Sequence, residues 1–239
     1  MPVLSVALTS ALGFLVGTAA RPLVFARSVP APATSCSNCP HCQTALLGRR
    51  RLLLPISGRC PACAERIGPP ALSVELSAAA VFAAVAAGGA TGWVAAAQYW
   101  LAACGIALAL IDLAVQRLPD VLTFPACTGT LLLLAAAAAA GESGSLGRAA
   151  AAAAAITAVF LLLAFFAGMG LGDVKLAPAI GALLGWSSWM SLWWGTVAGF
   201  LVGAVCAVVL LAIGRDRRTQ VAFGPFMITG ALAVCVLGF

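Results

Sequence analysis

Long runs of apolar residues, separated by short polar breaks, dominate the chain. The runs lie at about residues 3–20, 73–90, 93–111, 121–140, 149–168, 175–187, 189–213 and 221–238. A helix that crosses a membrane needs about 20 predominantly apolar residues, and most of these runs approach that length. We therefore predict eight helices, of which the sixth is short and the second and third are joined tightly around Gly92.

The composition turns this pattern into a prediction about the class of protein. Of the 239 residues, 63% are hydrophobic and 8% are charged, whereas an ordinary soluble domain is about 45–50% apolar and about 25% charged. These values exclude a soluble globular domain, a disordered or collagen-like chain and a small secreted disulfide-rich protein. We predict an all-α, polytopic membrane protein with about eight transmembrane helices, with the lipid bilayer as its partner.

The positive charge of the chain is concentrated between the apolar runs. There are 13 basic and 7 acidic residues, and the formal net charge is +6. Because no basic face with interleaved aromatic residues is present in the sequence, nucleic acid is not expected as a partner. If the loop after the first helix is cytoplasmic, 12 of the 13 basic residues fall on the cytoplasmic side, and Arg148 falls outside. The sequence thus predicts that both termini lie outside the cytoplasm.

The first apolar run precedes the positive charge, since no Lys or Arg comes before Arg21. A signal peptide carries its positive charge before the apolar stretch, so we expect residues 1–27 to form an uncleaved first transmembrane helix. Residues 28–72 then form a hydrophilic insert, and residues 73–239 form a helical membrane domain.

The insert contains five of the nine cysteines, four of which form two Cys-x-x-Cys pairs. Cys39 and Cys42 make the first pair, and Cys60 and Cys63 make the second, after the intervening segment 43–59. This spacing is typical of a tetrahedral four-thiolate zinc site. Two alternatives remain open: the cysteines are free or disulfide-bonded without a metal, or Cys36 replaces one of the four ligands.

The acidic residues are few enough to interpret one at a time. Glu65, Glu142 and Asp216 are expected to be solvated, because they lie in predicted loops or turns. Asp120 follows Pro119 at the start of the fourth helix, where an N-cap is the favoured interpretation. Glu75 begins the second helix and is expected to act as a cap or as a partner of the helix dipole.

Asp112 and Asp173 differ from the other acidic residues. Asp112 directly follows the unbroken apolar run 105–111, and Asp173 directly follows the glycine-rich segment 168–172. Ionisable residues at membrane depth are costly and are functional candidates by default, and both residues lie at the same predicted cytoplasmic level. Two facing carboxylates in a site of low dielectric constant share one proton, which is the chemistry of an aspartic protease. The alternative is that both are ordinary helix-end charges, or that Asp173 pairs with Lys175.

Together, four sequence motifs resemble those of the type IV prepilin peptidases, a family of membrane aspartic proteases with a Gly-x-Gly-Asp motif. The motifs are Ile111-Asp112 followed by Leu118-Pro119-Asp120, then Gly170-Leu-Gly172-Asp173-Val-Lys175, then Phe223-Gly224-Pro225-Phe226, and the paired Cys-x-x-Cys insert followed by Leu72-Ser-Val-Glu75. The resemblance covers nearly the whole chain, in the family's order.

The resemblance implies that Asp112 and Asp173 are the catalytic pair of an endopeptidase in the bacterial inner membrane. Such an enzyme cuts, after a glycine and at the cytoplasmic face, the short basic leader of type IV prepilin-like or type II secretion pseudopilin precursors. Gly170 and Gly172 would belong to the catalytic loop, and Lys175 would have a supporting electrostatic role. The peptidase core is expected at about residues 93–213.

The resemblance also implies two cofactors. Structural Zn²⁺ would bind Cys39, Cys42, Cys60 and Cys63, and S-adenosylmethionine would serve N-methylation of the new amino terminus. The chain lacks the Asn that usually follows Gly17 and the Arg-Tyr-Pro that usually precedes Glu75. No residues for binding S-adenosylmethionine can be named, so a peptidase without methyltransferase activity is an alternative.

Two further alternatives come from other classes of protein. A polytopic transporter could use the two aspartates as an ion or proton relay, although no acidic residue near the membrane midplane completes a path. A zinc-dependent assembly factor would need the cysteines and not the aspartates.

Overall fold

The computed structural model describes residues 2–30, 32–48, 54–214 and 222–238. Within these ranges the chain forms eight α-helices and no β-strand, which confirms the all-α prediction. The helices are α1 (Pro2–Arg27), α2 (Ser73–Ala87), α3 (Gly92–Val115), α4 (Asp120–Ala139), α5 (Leu146–Ala167), α6 (Leu171–Ser187), α7 (Trp189–Ala212) and α8 (Gly224–Leu237).

Five of the eight helices in the described ranges, namely α1, α3, α4, α5 and α7, are long and apolar enough to cross a membrane. α6 is 17 residues long, as the predicted short sixth helix requires, and α2 and α8 have 15 and 14 residues. Large apolar side chains on α1, α5 and α7 are exposed, for example Leu8, Phe165 and Val205. Large exposed apolar side chains on long apolar helices are typical of an integral membrane protein.

The helices pack as sequential pairs around a buried centre. α1 packs on α2, α3 on α4, α5 on α6 and α7 on α8, while α3, α6 and α8 also contact one another. α6 is buried along most of its length, and α3 is buried on the side that faces α6 and α8. The three inner helices are therefore those that carry Asp112, Asp173 and the Phe223–Phe226 motif.

Glycine allows two of these pairs to approach closely. A Cβ atom on Gly17 of α1 would lie 2.7 Å from the Cα of Glu75 in α2, and one on Gly181 of α6 would lie 2.8 Å from the Cα of Ala153 in α5. Small residues at such positions let membrane helices pack backbone against backbone.

The first helix is longer than its apolar run, because it continues through Arg21 to Arg27. Within this helix the Arg21 side chain is 1% exposed and pairs with Glu75, which is 0% exposed. Arg21 Nε and Nη2 donate to the two oxygens of Glu75 at 2.6 Å each. Among the described residues, Glu75 makes no capping hydrogen bond; it lies in the first turn of α2, as a dipole partner would, and forms a buried ion pair with Arg21. Both departures from the family's usual sequence, after Gly17 and before Glu75, lie beside this pair.

Glu142 and Arg148 also have roles that the sequence did not predict. The carboxylate of Glu142 accepts hydrogen bonds from the backbone N–H groups of Trp93 and Val94, at 2.7 and 3.1 Å. It therefore caps the start of α3 and is not merely solvated. The guanidinium of Arg148 donates to the carbonyl oxygens of residues 185–187 at the end of α6.

Candidate active site and metal centre

Asp112 lies in the last turn of α3, and its side chain is buried, with 5% exposed. The backbone N–H of Gly224, the first residue of α8, donates to Asp112 Oδ2 at 3.2 Å. A helix leaves its first N–H groups without intrahelical partners, so its amino terminus is suited to bind a carboxylate. Gly224 was part of a recognised motif, but its contact with Asp112 could not be read from the sequence, because the two positions are remote in the chain.

Asp173 lies in the first turn of α6, which begins after Gly170. Its side chain is also 5% exposed, and the Asp173 backbone N–H donates to the carbonyl of Gly170 at 3.1 Å. Asp173 Oδ1 is buried and has no hydrogen-bond partner among the described residues. Leu118 lies against both Gly172, the residue before Asp173, and Gly224, whose N–H bonds Asp112, so the structure brings the two carboxylates to one site.

The glycines before Asp173 serve different purposes. Gly168 ends α5 in the left-handed conformation, with φ of 70°, which few side chains tolerate. Gly170 has φ of −62° and needs no unusual torsion. Gly172 is required for space, since a Cβ atom there would lie 2.9 Å from the Cβ of Leu118. The segment 168–172 therefore combines a turn glycine, Gly168, with a glycine of close approach, Gly172.

Leu118, in the connection between α3 and α4, covers the site. Its side chain lies against Gly172 at the start of α6 and against Gly224 at the start of α8. A Cβ atom on Gly224 would lie 3.0 Å from Asp112 Oδ2 and 3.4 Å from Leu118. The two carboxylates are thus enclosed by the ends of three helices and by one leucine, which the sequence motif contained without indicating its role.

Lys175 does not contact Asp173 and pairs instead with Asp120, with Nζ and Oδ1 2.6 Å apart. Both side chains are exposed, at 51% for Lys175 and 65% for Asp120. Asp120 is the first residue of α4, and Pro119 takes the N-cap position expected for Asp120. The proposed pairing of Asp173 with Lys175 and the proposed N-cap are therefore both replaced by an ion pair between α4 and α6.

The insert brings four cysteine sulfurs together. Sγ atoms of Cys39, Cys42, Cys60 and Cys63 all lie within 4.8 Å of one another. The distance between the sulfurs of Cys39 and Cys63 is 3.8 Å, and that between the sulfurs of Cys42 and Cys60 is 3.7 Å. A tetrahedron with metal–sulfur bonds of about 2.3 Å has edges of about 3.8 Å. These four sulfurs could therefore hold one metal ion.

Cys36 and His41 lie outside the cluster of four sulfurs. Cys36 Sγ contacts the carbonyl oxygen of Phe25 at 3.5 Å, and burial raises the pKa of the Cys36 thiol. By contrast, hydrogen bonds with the side chain and backbone of Thr44 lower the pKa of the Cys42 thiol to about 6. Because the Cys42 sulfur lies 3.7 Å from that of Cys60 and the Cys36 sulfur contacts Phe25 instead, the geometry favours Cys42 over Cys36 as a ligand.

The two Cys-x-x-Cys turns have the same backbone pattern. In the first, Cys39 N–H donates to the carbonyl of Thr44, and Gln43 has a positive φ of 57°. In the second, Cys60 N–H donates to the carbonyl of Glu65, and Ala64 has φ of 60°. Each turn is closed by one antiparallel bridge, 38 with 45 and 59 with 66. A repeated unit thus supplies two sulfurs each time.

Contacts with the helices hold the insert beside the candidate active site. Arg117, next to Leu118, donates from Nη1 to the carbonyl of Ala33 at 3.1 Å. At the other end of the insert, Arg21 donates to the carbonyls of Pro69 and Pro70 at 3.1 and 3.0 Å. The insert is therefore attached both to the α1–α2 pair and to the connection that covers the two aspartates.

A cavity of about 580 Å³ lies between the end of α1 and the insert, bordered by Ser28, Cys36, Asn38 and Gln43. Among the described residues, none with a charged side chain lines this cavity. S-adenosylmethionine carries a sulfonium, an ammonium and a carboxylate, and burying such charges without partners is costly. This cavity does not fit S-adenosylmethionine, so no residue is assigned to binding the methyl donor.

Comparison with known proteins agrees with the resemblance seen in the sequence. Residues 99–237 match the type IV leader peptidase family. The predicted peptidase core ends at residue 213, whereas the matched region extends further and includes α8. The division of the chain into residues 1–27, 28–72 and 73–239 stays a prediction.

Among its relatives, the chain is 35% identical over 209 residues to a prepilin leader peptidase/N-methyltransferase of Aeromonas hydrophila, covering 85% of this chain and 71% of the relative. It is 33% identical over 223 residues to a protein of the same description from Burkholderia pseudomallei (strain 1026b), covering 88% and 71%. A Pseudomonas aeruginosa protein of that description is 30% identical over 207 residues, covering 83% and 70%. No solved structure was found to match the chain. The chain belongs to the type IV leader peptidase family.

Proposed function

We propose that the protein is an aspartic endopeptidase that removes the leader peptide from type IV prepilin-like or type II secretion pseudopilin precursors, cutting after a glycine. The observation that carries this proposal is the meeting of two buried carboxylates, Asp112 of α3 and Asp173 of α6, in a chain of this family. The names of the relatives supply the substrate class.

The geometry supports a mechanism in which two carboxylates share one proton. One carboxyl group donates its proton to the carbonyl oxygen of the scissile peptide, while the other takes a proton from the attacking water. The N–H of Gly224 fixes the orientation of Asp112 through Oδ2. Asp173 Oδ1 has no partner among the described residues and can bond the water or the substrate.

The same proposal includes a location. The protein would span the bacterial inner membrane, with both termini outside the cytoplasm and the two aspartates at the cytoplasmic face. The distribution of basic residues supports this orientation, because 12 of the 13 would then be cytoplasmic. The four-cysteine cluster would then lie in a reducing compartment, which favours Zn²⁺ bound by Cys39, Cys42, Cys60 and Cys63 over disulfide bonds.

N-methylation of the new amino terminus is a second activity that the names of the relatives support. Bound S-adenosylmethionine would supply the methyl group. The test uses labelled S-adenosylmethionine and a precursor that is cleaved efficiently. Label on the mature product is expected, whereas unlabelled product would leave the peptidase activity alone.

The peptidase proposal is tested in membranes that contain the protein and a pilin precursor. Asp112→Asn and Asp173→Asn should each abolish cleavage, because each removes one member of the proton-sharing pair. Asp216→Asn is the matched control, since Asp216 lies between two arginines, outside the described residues. Normal cleavage by either of the first two variants would contradict the proposal.

The alternatives from other classes gain no support from the comparisons. A transporter using the same aspartates would move ions in proteoliposomes and cleave nothing. A zinc-dependent assembly factor would lose function in Cys39→Ser and keep it in Asp112→Asn. The same panel of variants therefore separates all three functions.

A further inference from the structure

The candidate catalytic pair is closed off from solvent, since Asp112 and Asp173 are each 5% exposed. Two segments cover it: the connection that carries Leu118, and the first turn of α6 with Gly172, which are in contact. Just outside this contact the same two segments are joined again by the ion pair of Asp120 and Lys175. Because a peptide must reach the carboxylates to be cut, this covering has to open.

A cleft of about 440 Å³ between α4 and α6 begins at this ion pair. Thr123, Phe124, Thr128 and Pro178 contribute to its lining, and Asp120 and Lys175 are its charged residues. Lys175 follows Asp173 by two residues in the same helical turn, so the cleft lies on the outer side of the turn that holds Asp173 on its inner side. A peptide that approaches Asp173 from this side passes the ion pair.

The carboxylate of Asp120 is also suited by its charge to meet a cationic peptide. The predicted cytoplasmic face is strongly basic, which repels a basic leader. Among the described acidic residues of the helical domain, Glu75 is buried in an ion pair, Glu142 caps α3, and Asp112 and Asp173 are covered. Of these described acidic residues, Asp120 alone has a largely exposed carboxylate and lies at the same helix ends as the catalytic pair.

We propose that Asp120 selects precursors by binding a lysine or arginine of the leader in place of Lys175. This inference rests on the proposed peptidase function. Exposed ion pairs between single side chains are weak, so the exchange of one cation for another costs little. Once Lys175 is released, Asp120 no longer ties the Leu118 connection to α6, and the covering can separate. Asp120 is thus a specificity residue and Lys175 holds its place when no substrate is bound.

The test measures coupling between enzyme and substrate variants. Two precursors are compared, one with lysine in the leader and one with glutamine at the same positions, using kcat/KM for wild type, Asp120→Asn and Lys175→Met. The wild type should prefer the lysine leader by about fivefold, the upper range for one exposed ion pair. Asp120→Asn should lose this preference through KM, and Lys175→Met should keep or increase it, because Asp120 is then unpaired.

A purely structural role for the ion pair predicts a different result. Asp120→Asn and Lys175→Met would then slow both precursors by the same factor, with the lysine preference unchanged, and this would overturn the inference. Asp120→Lys provides an independent check, because it should reverse the preference towards a leader that carries glutamate. A wild type that cleaves no precursor would defeat the proposed function, whereas one that cleaves both precursors equally would defeat this inference alone.

Discussion

Arg21 and Glu75 are 54 residues apart in the chain and join α1 to α2 through two nitrogen–oxygen contacts of 2.6 Å. The guanidinium also satisfies the carbonyls of Pro69 and Pro70, where the insert leads into α2. With exposures of 1% and 0%, neither charge can be solvated by water. The pair therefore fixes the end of the insert to the first helix.

Removing one member of this pair should destabilise the protein strongly. Glu75→Gln leaves the Arg21 charge buried and unpaired, and such changes cost about 3–5 kcal/mol. The double variant Arg21→Met with Glu75→Leu removes both charges and should be more stable than Glu75→Gln. The measurement is the midpoint of thermal unfolding in detergent. An unchanged midpoint for Glu75→Gln would show that the buried pair contributes nothing.

Gly224→Ala should impair cleavage more than stability. Its new Cβ atom would lie 3.0 Å from Asp112 Oδ2 and 3.4 Å from Leu118, so the carboxylate has to move. Displacing a reacting group by about 1 Å can cost about 100-fold in rate, and we expect at least about a tenfold loss of kcat/KM with a pilin precursor. Gly147→Ala is the matched control, because its Cβ atom would have no atom nearer than 4.0 Å. Equal activities of the two variants would show that Asp112 tolerates the displacement.

The purified protein should contain about one zinc ion per chain, measured by elemental analysis. Cys39→Ser should lose this metal, because Cys39 is one of the four converging sulfurs and is fully buried. Cys36→Ser should retain it, since Cys36 Sγ contacts the carbonyl of Phe25 instead of the cluster. Loss of zinc in Cys36→Ser would assign the fourth ligand differently. Chelation should also make residues 28–72 more sensitive to protease, because metal binding stabilises such small domains.

Arg148→Met should lower stability without affecting the chemistry. The guanidinium donates to the carbonyls of residues 185, 186 and 187 at distances of 2.7, 2.5 and 2.7 Å. Removing it leaves the end of α6 without these bonds, at a cost of about 1–3 kcal/mol. Thermal unfolding should shift to lower temperature, while kcat/KM measured well below that temperature stays the same. A parallel fall in kcat/KM would connect this end of α6 to catalysis.

The apolar runs predicted the helices well because each run reflects a local requirement of a membrane helix. α7, for example, was expected at 189–213 and extends over Trp189–Ala212. The largest differences occur at α1, which continues seven residues beyond its apolar run, at α3, which continues four residues beyond its run, and at α6, which begins four residues early. In all three helices the added turn contains an ionisable residue, Arg21, Asp112 or Asp173, that interacts with distant parts of the chain.

The site could be predicted as far as residue types and motifs define it. Asp112 and Asp173 were recognisable because charged residues are scarce in this chain, and the four cysteines because they form two Cys-x-x-Cys pairs. The contacts of the site residues could not be predicted, because the partners are remote in sequence. Asp112 is bound by Gly224, and Lys175 is bound by Asp120. Hydrophobic periodicity carries no information on which helix ends meet.

The repeated cysteine turn has a consequence for how the insert can vary. Each turn closes its own backbone hydrogen bonds and brings two sulfurs into place, and the second turn repeats the pattern of the first. No cysteine or histidine occurs in the segment between Cys42 and Cys60. The four-sulfur cluster is therefore built from two similar turns, each of which supplies two sulfurs. The tether between the turns can be lengthened or recomposed over evolutionary time without redesigning the centre itself.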